Sequence, residues 1–201
     1  MDIEAYNGNA LVGVQANAAG NLLVNQYAAK YQELALGGNV FSIANQTGVT
    51  TQAGLSATTP VLTLYNPAGS GVNGVLLYAG CTNLVAFPAA AAIWLAANTN
   101  VVAAAVTGTA TTAHRNMFLG GAAPTLQPLL AATLPAAPVA IASLGVGLTG
   151  AITTIPQIQT LERWFDGSII IPPGTAISFQ TSTVSGTSGF LGEFIWMEID
   201  A

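Results

Sequence analysis

Few side chains in this 201-residue chain can do chemistry, and the densest group of them lies in LERWFDG, residues 161–167. Glu162 and Asp166 are of the types that make a general acid/base pair, and Trp164 between them could serve as a platform for a sugar ring, as in glycoside hydrolases. On a strand all three would share a face, because alternate side chains point the same way. Any three residues at even spacing meet that condition, so the plainer reading is preferred. Glu162, Arg163 and Asp166 then form local or intersubunit ion pairs while Trp164 packs, and all four are candidates for interaction.

The remaining chemistry is thinner. His114 is the only histidine, in TATTAHRNMF, and no nucleophile-elbow pattern accompanies it, so it reads as a solvated or interfacial residue beside Arg115 near a strand end. PAGSGVNG, residues 67–74, matches G-x-G-x-x-G, but no carboxylate occurs between Glu33 and Glu162 and VLLYAG continues as a strand. A dinucleotide site needs a helix and an acid there, so the glycines are read as a tight β-hairpin connection. Glu193, Glu198 and Asp200 lack a calcium-loop pattern and read as the solvated ends of an apolar strand. Cys81 is the only cysteine, which excludes an internal disulfide or a multi-cysteine metal site, and it reads as a small core residue. No enzymatic activity, metal or cofactor is expected.

Charged residues are 5% of the chain, against about 25% in an average soluble protein. A surface so poor in charge lacks the usual guard against pairing of strand edges and apolar patches, so self-association is expected. With only Lys30, Arg115 and Arg163 as permanent cations, nucleic acid is not an expected partner. The mean hydropathy of +0.58 raises the question of a membrane span. Segment 84–97 is short for one, and 129–152 is broken by prolines and glycines without flanking cations, so no membrane is expected. MDIEAYNGNA has no basic and apolar leader, which points to assembly in a cytoplasm, and NQT at 45–47 is a glycosylation sequon in form only.

The elements that must position these residues are mostly strands. NVFSIAN, PVLTLYN, NGVLLYAG, TNLVAF, NVVAAAVTGT, GSIIIP, TAISFQTST and FLGEFIWMEI are short, rich in Val, Ile, Phe and Thr, and bounded by Asn, Gly or Pro. Without long periodic helices between them, they predict an all-β sandwich or barrel over residues 38–201. Residues 1–37 read differently, as an arm: Leu23, Tyr27, Tyr31 and Leu34 fall at roughly helical spacing, although GNLLVNQY also suits a strand. The arm is expected to dock on a neighbour, with Tyr27 and Tyr31 as candidate contacts. Segment 116–160, rich in Ala and Pro, has no charged residue and predicts an extended loop excursion that makes assembly contacts. In IIIPPGTAISF, Pro172 and Pro173 end one strand and Gly174 permits a reversal, which makes a sheet corner.

GSIIIPPGTAIS followed by a terminal aromatic strand ending WMEI resembles the C-terminal part of jelly-roll structural proteins of tailed-bacteriophage virions. FSIANQTGVTTQAGLSATTPVLTLYNPAGSGVNGVLLYAG is similar to the first half of the same kind of domain, so the resemblance covers roughly residues 38–115 and 161–200. It implies a jelly-roll-like antiparallel β-sandwich and a non-enzymatic capsid decoration or cement protein, typically a homotrimer, located in the virion. Its partners would be copies of itself and the major capsid protein or a neck or tail component. The alternative is the receptor- or glycan-binding head of a virion fibre or appendage, with Glu162, Trp164 and Asp166 at a surface groove.

Overall fold

The computed structural model describes residues 4–7, 10–13, 31–99, 106–147, 149 and 159–201. The chain divides into two units, Met1–Glu33 and Leu34–Ala201. In the first, β1 (Glu4–Asn7) pairs antiparallel with β2 (Ala10–Gly13). A short helix, α1 (Gln32–Leu36), spans the division, with Tyr31 just before it. Tyr27 lies outside the described residues.

The second unit is built from β3 (Val40–Ala44), β4 (Thr63–Asn66), β5 (Val72–Asn83), β6 (Ala91–Asn98), β7 (Thr107–Ala110), β8 (Arg115–Asn116), β9 (Gln127–Thr133), β10 (Val139–Gly147), β11 (Gln159–Ile171), β12 (Thr175–Thr181) and β13 (Phe190–Asp200). They form a six-stranded sheet, β10-β6-β12-β4-β9-β7, and a five-stranded sheet, β11-β5-β13-β3-β8, with antiparallel neighbours throughout. Eight of these strands pair in mirror order: β3 with β13, β4 with β12, β5 with β11 and β6 with β10. A long antiparallel ribbon rolled across two sheets gives that pairing, which is the jelly-roll form of the all-β sandwich. β7, β8 and β9 come from the connection between β6 and β10 and extend both sheets at the same side.

Alternation along each strand fills the space between the sheets. On β13 Phe190, Phe194 and Trp196 point inward and are fully buried, while Leu191, Glu193, Ile195 and Met197 are half-buried on the outer face. Phe179 of the opposite sheet stacks on Phe194 with centroids 4.5 Å apart and meets Phe190 edge-on at 6.1 Å. Gly192 makes this possible, because a Cβ there would come within 2.8 Å of the Phe179 ring. Stripping a fully buried Phe to Ala in such a core costs about 3–5 kcal/mol.

Two of the corners at which the chain changes sheets are tied by one residue. The turn after β11, at Pro172-Pro173-Gly174, leads from the five-stranded to the six-stranded sheet, a corner as its sequence requires. The turn at 67–71 also changes sheets, so it is an arch and not the hairpin that its glycines suggest. Gly69 and Gly71 adopt φ of 76° there, but Gly74 lies within β5, where a Cβ would collide with Leu126. The buried Asn66 amide donates to Val72 O and Ile171 O, both at 2.8 Å, and Asn66 O accepts from Gly174 N at 2.9 Å. Both corners are therefore laced to the end of β4.

Segment 116–160, expected as a loop excursion, is loop only in part. Residues 127–133 form β9 and residues 139–147 form β10, one of the eight strands of the roll. β10 hides in the sequence because Ala, Ser and Gly dominate it and because bulges between Ala140 and Ala142 and between Ser143 and Gly145 break its alternation. The expected strand at 82–87 stops early: β5 ends at Asn83, and Leu84 N turns to bond Gly189 O at 2.7 Å. Among the described residues no helix is long and apolar enough to cross a membrane.

Candidate functional site

The outer face of the five-stranded sheet gathers the side chains with most chemical capacity. In the register of β11, β5 and β13, Gly80 lies opposite Glu162 on one side and Glu193 on the other. Two residues along, Tyr78 lies opposite Trp164 and Ile195. The Tyr78 hydroxyl reaches back over Gly80, 2.8 Å from Glu193 Oε1 and 3.1 Å from Glu162 Oε2. Gly80 leaves room for this, since a Cβ there would fall 2.5 Å from the phenol oxygen and 2.6 Å from Glu193 Oε1.

A phenol has one hydrogen and here meets two carboxylates, each with spare acceptor capacity. Burial, and then the adjacent Glu193 and Glu162, hold the Tyr78 hydroxyl well above the usual phenol range, so it stays a donor. Trp164 packs on Tyr78 with ring centroids 5.0 Å apart and keeps 54% of its surface exposed.

Of the residues expected at this site, Glu162 and Trp164 share the outer face and the strand alternation does not carry on to Asp166. Between Trp164 and Ile169, β11 bulges out while β5 advances from Tyr78 to Leu76. Asp166 and Gly167 form the bulge tip with φ of 51° and 87°, the two positive angles of a type I′ turn. Arg163 lays its guanidinium over the Phe165 ring, 5.1 Å from the centroid, with Phe165 in the core. The carboxylate that joins Glu162 is thus Glu193, through Tyr78. The sequence does not join Tyr78 or Glu193 to Glu162, because their meeting depends on the pairing of three strands distant in sequence. The Asp-Gly dipeptide was a readable signal for the bulge.

Other candidates are structural. His114 Nδ1 donates to Thr111 O at 3.0 Å, and Arg115 Nη1 donates to Thr112 O at 3.0 Å and His114 O at 2.7 Å, which fixes the turn before β8. Cys81 is buried in the core, and burial pushes its thiol up to about 12, so it is no nucleophile at neutral pH. Glu198 is not a solvated strand end. It is buried, with Oε1 accepting from Leu126 N at 2.9 Å and Trp196 Nε1 at 3.2 Å, and Oε2 accepting from Thr125 N at 2.9 Å. It pins the segment leading into β9 to the end of β13, and the parity of Phe194 and Trp196 already places it inward. Among the described residues no three His, Cys, Asp or Glu side chains converge as metal ligands.

A second surface is apolar. Met117, Phe118 and Leu119 are exposed in succession after β8, Leu119 at 81%. Their loop has a firm base: Asn116, itself buried, donates to Gly38 O at 2.7 Å and Ala122 O at 3.1 Å, and accepts from Phe118 N at 2.9 Å. Val139, Ile141 and Val146 are exposed on β10, at the edge of the six-stranded sheet. No family model, curated protein or solved structure matches this chain.

Proposed function

We propose that this protein is a non-enzymatic structural subunit of a bacteriophage virion that decorates or stabilises the capsid as a homotrimer. The observation that carries the reading is the fixed apolar loop Met117–Leu119, in a stretch with no charged residue between Arg115 and Glu162. Three consecutive large apolar side chains on a rigid base gain nothing from water, and they suit burial in a permanent interface. The exposed Val139, Ile141 and Val146 on an edge strand add to the same argument. The jelly roll supports it by analogy, since the same architecture serves viral capsids as well as lectins and cupins.

Stabilisation by added contacts is the mechanism. The arm over residues 1–37 and the apolar loop bury surface on neighbouring copies and on the major capsid protein or a neck or tail component. Neither nucleic acid nor membrane takes part. Co-sedimentation of the purified protein with capsids that lack it tests the proposal. Saturable binding in multiples of three copies is expected, and a protein that stays wholly in the supernatant would overturn it.

A further inference from the structure

The outer face of β11, β5 and β13 has a composition that capsid binding does not require. Trp164 is exposed at 54%, whereas Trp196 is fully buried and lies against Phe41 with centroids 5.8 Å apart. The exposed indole is held, not loose. Tyr78 packs beneath it at 5.0 Å, and the positive-φ pair Asp166-Gly167 folds the strand immediately after it. Beside this plate lie two carboxylates that share one phenol hydrogen.

We propose that this surface is a binding site for a neutral carbohydrate. The apolar face of one sugar ring stacks on Trp164, and hydroxyls of that ring or its neighbour donate to Glu162 and Glu193. Three features choose this ligand class. The plate offers a flat apolar area at low cost in ordering, because an indole has only two side-chain torsions. The carboxylates hold more acceptor sites than Tyr78 can fill, and a sugar brings several donors without bringing charge. The Tyr78 hydroxyl also occupies the point between the carboxylates where a small cation would sit, within 2.8 Å and 3.1 Å of their oxygens. What remains outward is a rim of acceptors beside an aromatic plate.

This differs from an acid/base site over Glu162 and Asp166 in both membership and role. Glu193 and Tyr78 replace Asp166, and the ligand is held, not cleaved. It is also independent of the capsid proposal, because it is tested on the isolated full chain.

The test is a glycan array, followed by titration of the best-retained oligosaccharide by isothermal calorimetry, a readout that does not depend on Trp164. Binding to at least one neutral glycan is expected, with an affinity little changed between low and high salt, as befits an uncharged ligand. Trp164→Ala should weaken it by at least about tenfold, with Trp164→Phe recovering part of the loss. Glu162→Gln and Glu193→Gln should each weaken it while leaving the melting temperature near wild type. Retention of no glycan, binding unaffected by Trp164→Ala, or a preference for cationic ligands that fades with salt would each overturn the proposal.

Discussion

The outer face of the five-stranded sheet and the segment between β6 and β11 differ in what they offer to the outside. The first carries Glu162, Glu193, Tyr78 and the half-exposed Trp164 in one hydrogen-bonded group. The second carries Met117, Phe118, Leu119, Val139 and Ile141 on its surface, and its only charged residue is Arg115. A surface of acceptors and one aromatic plate can select a small polar ligand by direction. A surface of apolar side chains without charges selects by shape and area, as protein interfaces do. On the two proposals the same sandwich would carry two kinds of recognition on different surfaces, and substitutions at one should leave the other intact.

Breaking the anchors of the apolar segment should have the largest effect. Glu198→Ala leaves Thr125 N, Leu126 N and the Trp196 indole N–H without their acceptor. A loss of about 3 kcal/mol in chemical denaturation is expected. A loss below about 0.5 kcal/mol would mean that water takes over, and that the segment does not depend on this carboxylate. Asn66→Ala unlaces both corners and should cost about 2 kcal/mol by the same measurement, at a site that touches neither recognition surface.

A smaller and pH-dependent effect belongs to the polar face. The Tyr78 hydroxyl titrates above its ordinary value of 10.0, so the folded state favours the protonated phenol. Its contribution is fully present below pH 10 and falls away as pH rises through the range above it. Tyr78→Phe should flatten that alkaline decline while the neutral-pH stability changes little. Equal slopes for the two proteins at alkaline pH would show that burial and the adjacent Glu193 and Glu162 do not raise the phenol's titration. The smallest effect is expected of Trp164→Ala, within about 0.5 kcal/mol of wild type, because the indole keeps 54% of its surface exposed.

How much of this was legible in the sequence follows from which contacts are local. PVLTLYN, NGVLLYAG, TAISFQTST and FLGEFIWMEI become strands, and Pro172-Pro173-Gly174 becomes a corner, because alternation and proline chemistry act over a few residues. β10 is not legible because its small residues and two bulges carry no period. The arch at 67–71 reads as a hairpin in the sequence because glycine reports that a turn is tight, and not which sheet the chain enters next. Glu162 and Trp164 were readable as a pair two residues apart on one strand. Tyr78 and Glu193 join them only through the register of β5 and β13, which short-range pattern does not encode.

The central claim is that the uncharged apolar loop is an interface, and the native mass of wild type and Leu119→Glu tests it most directly. Leu119 is exposed, so the substitution should leave the circular dichroism unchanged, while loss of the assembly lowers the melting temperature. The account predicts a trimer for the wild type and a folded monomer for Leu119→Glu. A wild type that is a stable monomer, or a Leu119→Glu protein that assembles as the wild type does, would contradict it.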